Sequence, residues 1–251
     1  DMLGKMATNE PEKYAKFWTQ FGPVLKEGPS EDHNNREKIA KLFRFASSTS
    51  DSAATDVSLT DYVSRMKEGQ DKIYYLTGDS HSVINNSPYL EIFRKHGVEV
   101  ILMSDRVDEW MMGYLNEFDG KSFQDIARGE LDLSKITGEE PKAEDADKKE
   151  GDDSEQGTLL KRINTLLDGK VEEVRTTTRL TSSPACLVVG ADDMGEQMRK
   201  IMAAAGQPVP EVKPILEINP EHPLVSKLDG ETDEDKAKIL ASVLFDQAAL
   251  S

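Results

Sequence analysis

Apolar positions along the chain recur first with a helical step. Tyr14, Phe17, Trp18, Phe21 and Leu25 lie three or four residues apart and share one face of an opening helix. A second stripe follows at Ile39, Leu42, Phe43 and Ala46. Ser58 and Asp61 form a capping-box pattern that starts a short helix, which Gly69 can end. Lys72–Thr77 is β-branched and aromatic, and predicts a strand. Ser87-Pro88 starts another helix, closed by Gly97, and 98–103 (VEVILM) is an almost unbroken apolar strand. Asp105 begins a helix over 106–118 (RVDEWMMGYLNEF). Strand, crossover helix and strand in this order predict a parallel pair with a right-handed connection, hence a small α/β/α layered unit over 1–137.

The pattern lapses at 138–156 (GEEPKAEDADKKEGDDSEQ), where nine acidic residues and three lysines give a net charge of −6 and no large apolar residue occurs. Such a stretch cannot offset its ordering entropy by burial, and it is expected to be a solvated linker. A second unit, 157–251, opens with a helix carrying Leu159, Ile163, Leu166 and Leu167 and stopped by Gly169. Two strands follow, 171–180 and 185–189, joined by a Ser-Ser-Pro turn signal. Asp192 or Asp193 caps a helix over 193–206, and 212–218 alternates like a strand. Asn219-Pro220 starts a short helix, and 232–250 forms a longer one with Ile239, Leu240, Val243 and Leu244 on one side. The fold class is therefore α/β followed by α+β.

The full chain has 251 residues and a formal net charge of −16, which disfavours binding to duplex nucleic acid or an anionic membrane surface. One cysteine, Cys186, excludes an intrachain disulfide and suits a reducing compartment. No apolar run reaches the roughly 18 residues of a membrane span, and the first residues do not read as a signal peptide. These features point to the cytoplasm. Asp1 falls in what reads as the middle of a helix, the mark of an excised fragment.

A search for catalytic or metal-binding patterns finds little. The sequence lacks GxGxxG, GxxxxGK[ST], HExxH and GxSxG. The histidines at 33, 81, 96 and 222 have no metal-spaced partner, and surface or capping roles suit them. Asp145 and Asp147 resemble the start of a calcium loop, but Glu150 stands where its glycine belongs. Cys186 lies within an apolar strand and reads as a small core residue. Methionine placement is more distinctive. Met194, Met198, Ile201, Met202 and Ala205 share one helical face, which is either core or an adaptable surface, because methionine repacks at low cost. Trp110 falls at the edge of the stripe formed by Val107, Met111, Tyr114 and Leu115, so it either completes the local core or forms a half-exposed anchor.

Two long strings, 58–80 (SLTDYVSRMKEGQDKIYYLTGDS) and 97–123 (GVEVILMSDRVDEWMMGYLNEFDGKSF), closely resemble the middle region of the bacterial HtpG branch of the ninety-kilodalton heat-shock chaperones. Residues 180–225 resemble that family's C-terminal domain. The resemblance runs in order through nearly the whole chain apart from the acidic stretch.

What the resemblance implies is a homodimeric, ATP-driven stress-response chaperone that holds partly folded client proteins and works with co-chaperones. It places ATP and magnesium binding in an N-terminal domain, outside this chain, so no cofactor and no hydrolysis are expected of these residues. The family's Glu-Trp pair matches Glu109 and Trp110, and its amphipathic client-binding helix matches Met194, Met198, Ile201 and Met202, with Ile-Met where relatives often carry Leu-Phe. Gly113 replaces a more usual Asn. The helix with Ile239, Leu240, Val243 and Leu244 corresponds to part of a dimer interface that relatives complete with a further helical stretch. Two other readings stand beside this one. One is an α/β enzyme acting on a phosphorylated small molecule near Thr77, Asp79, Ser104 and Asp105; the other is a purely structural scaffold.

Overall fold

A computed structural model of the chain describes residues 2–138, 155–190, 193–194, 196–209 and 212–250. In chain order it begins with α1 (Met2–Asn9), α2 (Pro11–Lys26), α3 (Gly28–Glu31), α4 (Arg36–Ala40), β1 (Ala46–Ser47), α5 (Leu59–Ser64), β2 (Lys72–Thr77) and α6 (His81–Asn85). Next come α7 (Glu91–Lys95), β3 (Ile101–Met103), α8 (Asp108–Met112), β4 (Glu117–Phe118), β5 (Lys121–Asp125) and α9 (Ser134–Thr137). The rest are α10 (Glu155–Leu166), β6 (Glu173–Thr176), β7 (Ala185–Val188), α11 (Glu196–Ala204), β8 (Ile215–Ile218), α12 (Pro223–Asp229) and α13 (Glu234–Ala249). Of the acidic stretch, 139–154 lies outside the described residues, while Glu155 and Gln156 open α10.

These elements form two compact units, each drawn from separated stretches. One holds Asp1–Asn85, Gly97–Asp125 and Met194–Pro208; the other holds Asn86–His96, Ile126–Asp193 and Val209–Ser251.

The first unit is built on a mixed five-stranded sheet of order β1-β3-β2-β5-β4. β2 runs parallel to β3, with Tyr75 opposite Ile101, and parallel to β5, with Ile73 opposite Phe123. The expected parallel pair is therefore present, within a wider sheet than the sequence pattern predicts. The helix expected over 106–118 is confined to Asp108–Met112, because an Asp119-Gly120 hairpin takes over after it. Both turn residues have positive φ, 50° and 70°, as a tight primed turn requires. The stripe ending at Ala46 is likewise cut short: α4 stops at Ala40 and Ala46 pairs with Leu102 in the sheet.

α2 covers this sheet with a buried face of Tyr14, Trp18, Gly22 and Lys26, each four residues apart. Gly22 is small for a reason, since a Cβ there would lie 2.9 Å from the Trp18 ring. The expectation that Phe21 shares this face fails. It is turned outward, 53% exposed, and stacks on Phe17 at 5.2 Å. Ser58 and Asp61 form the expected capping box on α5.

The second unit has a three-stranded sheet of order β6-β8-β7, with β6 parallel and β7 antiparallel to β8. The two strands flanking the Ser-Ser-Pro turn thus do not pair with each other; β8 lies between them. α10, α12 and α13 supply Leu159, Ile163, Val225, Leu228 and Leu244 to its core. α12 starts at Pro223 rather than at Asn219-Pro220, because the His222 side chain accepts the Leu224 amide. A polar centre sits in this unit: buried Glu217 receives Arg175 and Arg179, and Arg179 also donates to the carbonyls of Ile126 and Gly129. Cys186 is buried beside Glu217, and burial pushes its thiol well above the ordinary range.

Candidate functional site

The short helix α8 is fixed from its N-terminal end. Asp108 is fully buried, and its carboxylate accepts the Asp105 amide at 2.8 Å. Lys26, itself buried at the end of α2, lies 2.6 Å from Asp108 and 2.7 Å from Asp105. The Lys26 ammonium also sits 4.8 Å from the Phe45 ring centroid. Burial pushes the Asp108 carboxyl upward, and the Lys26 charge opposes that shift. No local pattern flags a lysine as buried; its signal lies only in the step of four from Trp18 and Gly22.

With Asp108, Met111 and Met112 facing inward, Glu109 and Trp110 are left half-buried at the rim. Met112 is core as well, while Val107 and Tyr114 are only partly buried. The Trp110 ring meets Tyr114 edge-on at 5.0 Å, and Tyr114 stacks on His33 at 6.4 Å.

α11 lies in the same unit as α8. The Met198 amide donates to Glu109 Oε2 at 3.1 Å, and Lys200 Nζ lies 2.9 Å from Asp79 Oδ2. Met194 precedes the helix rather than belonging to it. Met194, Met198 and Met202 are partly buried, Ile201 is 46% exposed and Ala205 is exposed. Among the described residues of α11 none is fully buried, so the stripe is not core. Asp193 does not cap the helix; its carboxylate accepts the Gly190 amide at 2.9 Å, and Asp192 lies outside the described residues. The two candidate groups, 109–110 and 194–202, are therefore brought together, which no local pattern could reveal.

The dimer candidates divide. Ile239 is 63% and Val243 47% exposed, Leu240 is partly buried, and Leu244 is fully buried in the core of the second unit. Leu244 has no surface to offer a partner, a correction to grouping it with the others. The face of α13 that packs inward is Ala237, Ala241, Leu244 and Ala248, and its three alanines let the helix lie close on β7.

Of the residues considered for phosphate chemistry, both aspartates are paired with lysines. Asp105 is committed to Lys26 and Asp79 to Lys200. A cavity of about 380 Å³ in the first unit is lined by Ser47, Thr49, Ser50, Asp56, Asp61 and Arg65. Arg65 is held two-pronged by buried Glu99, at 3.0 and 2.8 Å, and both aspartates would repel phosphate, so this lining does not fit a nucleotide. Among the described residues no helix is long and apolar enough to cross a membrane.

The chain thus joins a mixed α/β unit, which carries a half-buried Trp rim and a methionine helix with no fully buried described residue, to an α+β unit. The Hsp90 protein family model matches residues 1–251, the entire sequence. The chain belongs to the Hsp90 family of heat-shock chaperones.

Proposed function

We propose that this chain supplies client binding and part of the homodimer contact in a cytoplasmic chaperone of the bacterial HtpG type. Its client surface is the Glu109-Trp110 rim together with Met194, Met198, Ile201 and Met202. Its dimer contact uses Ile239 and Val243, with Leu240 at their edge. ATP and magnesium are assigned to other regions of the full-length protein, following the resemblance of residues 58–80, 97–123 and 180–225 to middle and C-terminal portions of that family.

The observation that carries the reading is the state of α11: an amphipathic helix whose methionines have no core to fill. Flexible, polarizable thioethers offer shallow burial to many different client side chains. Acidic surroundings, from a net charge of −16, favour clients with basic segments and keep the apolar stripe soluble.

The test is a titration of a partly unfolded model protein against the chain and its Met198→Ser/Met202→Ser variant, with circular dichroism on both. Each lost anchor contributes about 1 kcal/mol, so affinity falls at least about tenfold while the fold is kept. A large drop in melting temperature with unchanged affinity would make the stripe structural and sink the proposal.

A further inference from the structure

We infer that Glu109 is a positioning residue: its carboxylate holds the first turn of α11 against α8, so that the methionine stripe and Trp110 are presented as one surface. The inference rests on the client-binding reading for its purpose but not for its geometry. A helix leaves its first amides without partners inside the helix, and a side chain just before it ordinarily accepts one. Of the described residues just before α11, none supplies one. The residue before it is Gly195, and Asp193 is already spent on the Gly190 amide. The Met198 amide, third in the helix, instead reaches Glu109 on α8. A carboxylate there also meets the positive end of the helix dipole.

Burial secures this helix only weakly. α11 has nine residues, too few to be stable alone, and no fully buried described side chain. The Lys200–Asp79 pair joins two side chains that are each more than half exposed, an arrangement that contributes little. Docking also has a cost, since Arg199 Nε is buried without a hydrogen-bond partner. A short helix with a borrowed carboxylate at its first turn and an orphaned donor on its side is a latch that can open.

Hydrogen exchange on the full chain reads the latch directly. In Glu109→Ala the amides of the first turn of α11 exchange about fivefold faster or more, the effect of losing a helix cap. Glu109→Gln, which keeps an acceptor but no charge, falls between, and Lys200→Ala leaves these amides as they were. Unchanged protection in Glu109→Ala overturns the inference, whether or not client binding weakens. Faster exchange in Glu109→Ala, with client binding indifferent both to it and to Met198→Ser/Met202→Ser, upholds the latch and removes the client-binding reading instead.

Discussion

α13 begins with its own cap, Asp233 accepting the amides of Asp235 and Lys236, and runs for sixteen residues. It buries Ala237, Ala241, Leu244 and Ala248 and leaves Ile239 and Val243 outside. α11 runs for nine residues, follows a glycine, takes an acceptor from another helix and buries no described side chain fully. Both are amphipathic by sequence. What separates them is where the free energy of the helix comes from: core packing in α13, a borrowed hydrogen bond in α11. An apolar stripe is therefore not evidence of core until something is found to cover it.

The largest effect is expected at the point from which α11 ultimately hangs. Replacing Lys26 by Met leaves Asp108 buried without its counter-charge, a loss of about 3–5 kcal/mol. Denaturant unfolding measures it, and a second change, Asp108→Asn, should restore part of the loss. A cost below about 1 kcal/mol for Lys26→Met would mean that packing alone fixes α8.

Next comes the direct contrast. Leu244→Ala in α13 removes a fully buried side chain and costs about 3 kcal/mol. Met202→Ala in α11 removes a partly buried one and costs less than about 1 kcal/mol, with its main effect on client affinity. Equal unfolding penalties for the two would erase the distinction between a core helix and a surface helix.

Several of these features were legible in the sequence, for physical reasons that can be named. β2 has the bounds its β-branched and aromatic run predicts, and the Ser58–Asp61 box starts α5 as its chemistry requires. The hairpin after α8 carried a signal too, Asp119-Gly120, but a helical period read through Met111, Tyr114 and Leu115 masked it. In α13 the large side chains misled. The inward face is mostly alanine, so grouping Ile239, Leu240, Val243 and Leu244 by size mixed two faces. The candidate surface was legible only in part: Glu109, Trp110 and the methionines stood out, but the bond from Glu109 to Met198 spans 89 residues. Lys26 was missed because a lysine in the last turn of a helix ordinarily points to water and the helix dipole.

A third, modest effect sharpens the comparison by showing the same device at greater strength. Glu91, on α7 in the second unit, accepts the amides of Thr181, Ser182 and Ser183 as well as the Ser183 hydroxyl. Burial alone would raise its carboxyl, but these donors outweigh it and hold it at about 2, against an ordinary 4.5. The folded state thus favours the charged form. Its stabilisation is complete above about pH 4.5 and disappears as the pH falls towards about 2. Because the group remains partly exposed, Glu91→Gln should cost only about 1–2 kcal/mol at neutral pH, after allowance for solvent screening. Unfolding of both proteins from pH 7 to pH 3 should show the gap narrow below about pH 4.5. A constant gap over that range would mean that shape and hydrogen-bond count, not charge, hold the loop. The charge argument for Glu109, which by the same logic takes one amide where Glu91 takes three, would then weaken with it.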